Sequence, residues 1–329
     1  MEPTHPTSPS STRPRNPRAT WHLAATALGL FAAACQSRQS PPTAAPYQPA
    51  NVGSNPYSQP PANQPQPTLA SYPASSAFQN QDPKRNPPSV SARAAIVVQA
   101  NSGKVLFQKN ADTRMPVAST QKLLLGLLVS EAGSLNKSVT VQKSDTYCEP
   151  TKMGIQAGQV YTRAELLRAV LIRSSNDIAR CLARDHSGSE SAFAAAMNQR
   201  ARQLGMNNSN FTNSNGLPTP PGQYSTARDL SILAAACMRH SIIRDSVRTA
   251  SATFRFSDGR TVPLTNTNKV LRSFPYCTGM KTGYTNAAGR CLVSSASYNG
   301  KNVIVVVLGS QTPNVWTESQ ALLQWGLGL

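Results

Sequence analysis

Three polar clusters sit where the surrounding apolar pattern leaves little room for them. The first is Ser119-Thr120-Gln121-Lys122, which opens onto the apolar run Leu123 to Val129. Pro116 lies three residues before Ser119 and Gly133 follows the run, so the segment reads as a buried helix with marked ends and Ser119 in its first turn. Three residues separate Ser119 from Lys122, which puts both side chains on one face. A serine there is ordinarily a cap, and a lysine one turn later is ordinarily a solvated charge. Yet a lysine leading into Leu-Leu-Leu-Gly-Leu-Leu-Val has almost no polar face to rest on, which points it into a polar cavity. The second cluster, Ser174-Ser175-Asn176, falls at a helix junction 55 residues after Ser119. The third, Lys281-Thr282-Gly283, falls inside a strand 107 residues after Ser174. Ser-x-Asn is common in loops, and Lys-Thr-Gly on an edge strand is usually solvated. In this order, on a helix, a junction and a strand, the three together point to acyl transfer through a serine.

A serine hydroxyl is a poor nucleophile at neutral pH and needs a neighbouring base. The part of the chain that reads as folded holds two histidines, His186 and His240, and no Gly-x-Ser-x-Gly, so a Ser-His-Asp triad is not expected. Lys122 is then the base and must lose its proton. Burial and the like charge of Lys281 across a cleft would both lower its pKa.

The elements that must position these groups follow in order. Ala94 to Ala100 and Lys104 to Lys109 flank the turn Asn101-Ser102-Gly103 and read as paired strands. The Ser119 helix comes next. Thr162-Arg163-Ala164-Glu165 is a capping box for a helix through about Ile172, and a second helix runs from about Asp177 to Arg184. Ser189 to Leu204 is helical and stops at Gly205, and residues 206–225 form a long loop. Thr226 caps a further helix to about Arg239. Ala252–Phe256 and Arg260–Pro263 read as a hairpin. Three strands follow, Cys277–Tyr284, Arg290–Ser297 and Lys301–Gly309, the last two joined by Asn299-Gly300. Trp316 to Trp325 closes as an amphipathic helix. The fold class is α+β: a five-stranded antiparallel sheet assembled from both chain ends, flanked by helices and carrying an all-helical insertion.

The 329 residues suffice for one large domain or two small ones. The net charge of +18 is not confined to the amino end: residues 1–90 hold 6 basic and 2 acidic groups, leaving 26 and 12 in the remainder. Such a field favours anionic partners. Aromatics are few and no Lys/Arg-rich block stands out, so nucleic acid is not expected as a partner. Residues 1–20 contain Arg13, Arg15 and Arg18, and Trp21 to Ala34 is apolar apart from His22 and Thr26. That is the length of a signal-peptide core and short for a membrane span. It ends Ala32-Ala33-Ala34-Cys35, which fits plain signal cleavage after Ala34 and is also similar to a lipobox with Cys35 as the lipidated residue, although Ala32 stands where leucine is usual. Either way residues 1–34 form a signal peptide and the mature chain starts outside the cytoplasm, periplasmic or on the cell envelope. Residues 35–90, rich in Pro, Gln, Ser, Ala and Asn, read as a disordered tether spanning roughly 40 Å on average. Residues 91–329 are the catalytic domain. Beyond Cys35 the cysteines are Cys148, Cys181, Cys237, Cys277 and Cys291, an odd count without Cys-x-x-Cys, so no metal site is expected and small buried thiols are the default. Pairing of Cys277 with Cys291 on successive strands stays open. His240 at a helix end reads as a cap.

Over essentially all of residues 90–329 the chain resembles the serine D-alanyl-D-alanine carboxypeptidases among the low-molecular-mass penicillin-binding proteins. Besides the three clusters, the likeness rests on Asn101-Ser102-Gly103-Lys104-Val105-Leu106, Ser174-Ser175-Asn176-Asp177, Tyr224-Ser225-Thr226-Ala227-Arg228-Asp229, Gly279-Met280-Lys281-Thr282-Gly283-Tyr284-Thr285 and Leu322-Leu323-Gln324-Trp325-Gly326. The resemblance implies a β-lactamase/transpeptidase-like fold, no cofactor, peptidoglycan stem peptides as substrate and β-lactams as inhibitors. It implies that Ser119 is acylated and Lys122 takes its proton, while Ser174 relays a proton to the leaving amine. Asn176 would hold the substrate amide, and Lys281 and Thr282 the terminal carboxylate. Gly283 and Tyr284 continue the substrate-binding strand, and the N–H groups of Ser119 and Tyr284 form the oxyanion hole. Family members often add a β-rich stalk and a membrane-binding helix after this domain; here a lipid at Cys35 would anchor the front end instead. Where many relatives have Asp, this chain has Asn286 and Thr278, and Tyr284 stands where His is frequent. A D,D-endopeptidase fits the same three clusters. A class A β-lactamase fits less well because no Glu-x-x-Leu-Asn supplies a deacylation base, and a silent wall-binding module fits poorly with three intact clusters.

Overall fold

The computed structural model describes residues 86–329. The signal segment, Cys35 and the tether up to residue 85 lie outside the described residues. Strands β1 (Ala94–Gln99) and β2 (Val105–Lys109) form the first hairpin. A tight turn, Ala118–Gln121, then leads into α1 (Lys122–Glu131). The short strands β3 (Ser138–Thr140) and β4 (Val160–Thr162) pair with each other. Helices α2 (Arg163–Arg173), α3 (Asn176–Ser187), α4 (Glu190–Gln203), α5 (Ala227–Cys237) and α6 (Ser241–Arg248) follow. Next come the hairpin β5 (Ser251–Arg255) and β6 (Thr261–Thr265) and the single turn α7 (Val270–Ser273). The last elements are β7 (Cys277–Thr285), β8 (Gly289–Tyr298), β9 (Lys301–Ser310) and α8 (Asn314–Leu327).

The main sheet has the order β2-β1-β9-β8-β7, antiparallel throughout, so both chain ends build it as the sequence predicts. Its central strands are apolar on both faces because both are covered. Ile96, Val98, Ile304, Val306 and Leu308 face the helical body, whereas Ala95, Val97, Val303, Val305 and Val307 face α8 through Leu322, Leu323 and Leu327. The β8–β9 turn uses Asn299 (φ +46°) and Gly300 (φ +75°), the paired left-handed residues that an Asn-Gly hairpin supplies. β7 is an edge strand, paired only with β8.

Helix α1 runs through the centre of the helical body, with every residue from Lys122 to Val129 buried. A helix apolar all round belongs in a core, which explains how a lysine at its first position is held away from water. The capping box at Thr162 forms as read, Thr162 Oγ1 accepting from Glu165 N and Glu165 Oε2 from Thr162 N.

Several expectations need correction. Ser119 lies in the tight turn that precedes α1 rather than inside a regular α-helix. The strand pair β3–β4 and the helices α6 and α7 were not anticipated; Ile243 and Val247, four apart and buried in α6, are the signal for the longer helix. His240 occupies the N-cap position of α6, but its side chain makes no capping hydrogen bond: its Nδ1 shares a 2.9 Å hydrogen bond with Ser130 Oγ. All five described cysteines are free. Cys277 lies opposite Ala296 and Cys291 opposite Gly283, which places the two thiols near different ends of β7.

Because Leu124 is fully buried on the helix that positions Lys122, Leu124→Ala is expected to cost about 2–5 kcal/mol. Urea unfolding of the two proteins checks this.

Candidate active site

Ser119 owes its position to a crowded backbone. Ala118 adopts φ +49°, a left-handed conformation uncommon for a residue with a side chain. Two glycines press on this turn from opposite elements. At Gly216 (φ +90°) an added Cβ would stand 2.3 Å from Ala118 O, and at Gly283 it would stand 2.7 Å from Val117 O and 3.0 Å from Ser119 N. Only glycine lets the 206–225 loop and strand β7 close on the turn together. This is what the glycine of Lys281-Thr282-Gly283 does.

Lys122 Nζ is completely buried and has three hydrogen-bond partners: Ser119 Oγ at 2.8 Å, Asn176 Oδ1 at 2.7 Å and Asn215 O at 2.6 Å. None is a carboxylate. Burial, followed by the charge of Lys281, pushes its pKa well below the ordinary lysine value. A neutral amine has two N–H bonds and one lone pair. In its neutral form, with Asn176 Oδ1 and Asn215 O taking the two N–H bonds, the amine would turn its lone pair to Ser119 Oγ, whose hydroxyl otherwise donates to Asn215 O at 3.2 Å.

Asn176 is fixed at both ends, its Nδ2 donating to Pro150 O. The next residue secures that loop: the buried Asp177 carboxylate accepts from Met153 N at 2.9 Å, Gly154 N at 2.8 Å and Ile155 N at 3.4 Å. Ser174 closes α2 in a left-handed conformation (φ +70°), which ends the helix and turns the residue into the cleft.

Lys281 is fully buried, with its Nζ donating to Thr282 O at 3.2 Å; burial lowers its pKa to about 7. Its positive charge is felt at Lys122. Thr282 Oγ1 is 2.6 Å from Thr267 Oγ1. Ser119, Ser174, Thr282, Gly283 and Tyr284 line one cleft of about 390 Å³. The three sequence clusters therefore meet around Ser119.

Two contributors have no counterpart in the sequence reading. Asn215 acts through its carbonyl, which no residue pattern announces; the turn-forming run Asn213-Ser214-Asn215-Gly216 was the available signal. Asn213 shapes that turn, its Oδ1 accepting from Gly216 N at 2.8 Å and its Nδ2 donating to Leu217 O at 2.7 Å. Arg290 also lines the cleft, its guanidinium stacked 4.2 Å from the centre of the Tyr284 ring and its Nε donating to Thr312 Oγ1 at 2.8 Å. Arg173 and Lys269 line the cleft as well and no acidic residue does, so it favours an anionic group. Among the described residues no group of three or more His, Cys, Asp or Glu is placed to hold a metal ion.

The family model for D-alanyl-D-alanine carboxypeptidase (peptidase S11) matches residues 81–312. The chain belongs to this family. D-alanyl-D-alanine carboxypeptidase DacF of Bacillus subtilis is 35% identical over 246 residues, covering 73% of this chain and 63% of the relative. DacB2 of Mycobacterium tuberculosis is 32% identical over 243 residues, covering 72% of this chain and 83% of the relative. A D-alanyl-D-alanine endopeptidase of Escherichia coli is 33% identical over 228 residues, or 67% of this chain and 72% of the relative. The crystal structure of a D-alanyl-D-alanine carboxypeptidase from Mycobacterium tuberculosis superposes with a TM-score of 0.72 at 30% identity, covering 76% of this chain and 96% of that one. The fold is thus that of the penicillin-binding peptidases, as expected.

The burial of Lys281 has a consequence for stability. In the folded family member it is largely neutral above about pH 7, whereas in the unfolded chain it stays protonated to about 10.4. Between those values the unfolded state binds more protons, so this group makes stability rise with pH. Lys281→Met should remove that contribution. Urea titrations from pH 7 to 8.5 are expected to show a shallower rise, or a steeper fall, in the variant than in wild type.

Proposed function

We propose that the chain is a serine D-alanyl-D-alanine carboxypeptidase that removes the terminal D-alanine of peptidoglycan stem peptides through a Ser119 acyl-enzyme. The observation that carries this reading is the 2.8 Å contact between Ser119 Oγ and a buried Lys122 amine with no carboxylate on it. Ser119 Oγ attacks the carbonyl carbon of the penultimate D-alanine as its proton passes to Lys122 Nζ. The N–H groups of Ser119 and Tyr284 hold the oxyanion, and Asn176 binds the substrate amide. Ser174 relays the proton from Lys122 to the departing amine of D-alanine. Water then cleaves the ester and restores Ser119. Lys281 and Thr282 receive the terminal carboxylate on the strand that Gly283 and Tyr284 continue. Arg290, which lines the same cleft, adds a guanidinium to that carboxylate site.

A β-lactam would acylate Ser119 by the same attack. The D,D-endopeptidase reading shares every group named here, and the likeness to the Escherichia coli endopeptidase keeps it as the second reading. Product analysis on crosslinked muropeptides separates the two. Residues 1–34 as a signal peptide, Cys35 as the lipidation site and residues 35–90 as a tether would place the domain of residues 91–329 outside the cytoplasm, at the cell envelope. The Ala32-Ala33-Ala34-Cys35 run supports this, and mass spectrometry of the mature amino terminus tests it.

Fluorescent penicillin should label the wild-type protein, fail to label Ser119→Ala, and label Lys122→Ala at least 100-fold more slowly with the fold intact by circular dichroism. Labelling of Ser119→Ala at the wild-type rate would remove the nucleophile. Arg290→Gln is expected to raise KM for a D-Ala-D-Ala peptide about tenfold or more, with a smaller change in kcat, as steady-state kinetics would show.

A further inference from the structure

The carbonyl of Asn215 accepts from two groups of the reaction centre, Lys122 Nζ at 2.6 Å and Ser119 Oγ at 3.2 Å. Its aim is set by whatever holds the peptide units around it, and three holds are present. Gln121 Nε2 donates to Asn213 O at 2.6 Å. Within the turn, Asn213 Oδ1 accepts from Asn215 N at 3.2 Å and from Gly216 N at 2.8 Å. From outside, Glu190 accepts from Ser214 N at 3.0 Å through Oε2 and from Ser214 Oγ at 2.7 Å through Oε1. Ser214 is fully buried and directly precedes Asn215.

The third hold differs in kind. Gln121 belongs to the tight turn of Ser119 and Asn213 to the loop itself, whereas Glu190 opens α4, 24 residues before Ser214. An acid in a first helical turn ordinarily serves only the helix dipole. Here both carboxylate oxygens are spent on one residue of another element, a forked grip that fixes direction as well as distance. The charge reaches the amine as well. Burial and then Lys281 lower the pKa of Lys122, while Cys148, Glu190 and Asp177 act the other way. Arg180 on α3 stands beside the carboxylate, its Nε 3.9 Å from Glu190 Oε1.

We propose that Glu190 is a positioning residue for acylation: through Ser214 it fixes the Asn215 carbonyl, and thereby the orientation of the Lys122 amine toward Ser119. With one N–H held by Asn215 O and another by Asn176 Oδ1, the amine rotates only by giving up one of them. A turn released at Ser214 lets the carbonyl swing, and Lys122 and Ser119 lose the acceptor they share. The inference rests on the Ser119–Lys122 chemistry proposed above and adds the residue that keeps it aligned.

The test follows the rate of penicillin acylation of the full chain against pH. Three variants separate grip from charge. Ser214→Ala removes one bond of the grip and keeps the carboxylate, Glu190→Gln keeps an acceptor oxygen and removes the charge, and Glu190→Ala removes both. Acylation needs neutral Lys122, so the rate climbs with pH along an acid limb to a plateau. Glu190→Ala is expected to lower the plateau about tenfold or more, and Ser214→Ala to lower it less with the limb in place. Glu190→Gln should recover part of the plateau and move the limb to lower pH, because a negative charge that favoured the protonated amine is gone. If circular dichroism shows Glu190→Ala unfolded, Ser214→Ala and Glu190→Gln decide by the same comparison. Plateaus within about twofold of wild type in every folded variant would overturn the proposal. Equal losses in Glu190→Ala and Glu190→Gln with the limb unmoved would make Glu190 a mere support for α4 and overturn it too. Absence of acylation in wild type at every pH would instead remove the Ser119–Lys122 chemistry beneath it, and the inference with it.

Discussion

The structure depends on one buried amine that has no carboxylate in contact with it. Lys122 is wholly inside the protein, and its three partners are a hydroxyl, an amide oxygen and a backbone carbonyl. An ion in such a place is costly unless it is paired, so the neutral form is favoured, and Lys281 nearby adds to the effect. On the proposed reading, what would be a defect in an ordinary core serves as the base beside a serine. The fold supplies the rest: α1 carries the lysine into the core, α3 brings Asn176, the 206–225 loop brings Asn215, and β7 closes the other side.

The close approach of these parts is a matter of backbone as much as of side chains. Gly216 and Gly283 admit a turn in which Ala118 is left-handed, and neither position has room for a Cβ. Asn213 and Asp177 act behind the site, each spending side-chain acceptors on backbone N–H groups so that a loop carbonyl or a loop wall stands where the chemistry needs it. Such residues hold the distances between Lys122 and its partners.

Much of this was legible in the sequence because it follows from strong local signals. The apolar strand runs, the Asn299-Gly300 turn and the Thr162 capping box each fix an element with little help from the rest. The separation of Ser119, Ser174 and Lys281 along the chain is so wide that only a common site explains their settings. Contributions made by the backbone stayed hidden. The Asn215 carbonyl has no residue code, and Arg290 is one arginine among many until β8 is laid beside Tyr284 in register. Helix α6 was lost to its short length, although Ile243 and Val247 mark its buried face.

The most direct test is the titration of Lys122 itself. Nitrogen-15 NMR of lysine-labelled protein, assigned by comparison with Lys122→Arg, reports the charge on Nζ as pH is raised. The account predicts that Lys122 loses its proton well below the ordinary lysine value near 10.4, and that Lys281→Met moves this step upward by removing the neighbouring positive charge. A Lys122 that titrates at the ordinary value, unmoved by Lys281→Met, would contradict it.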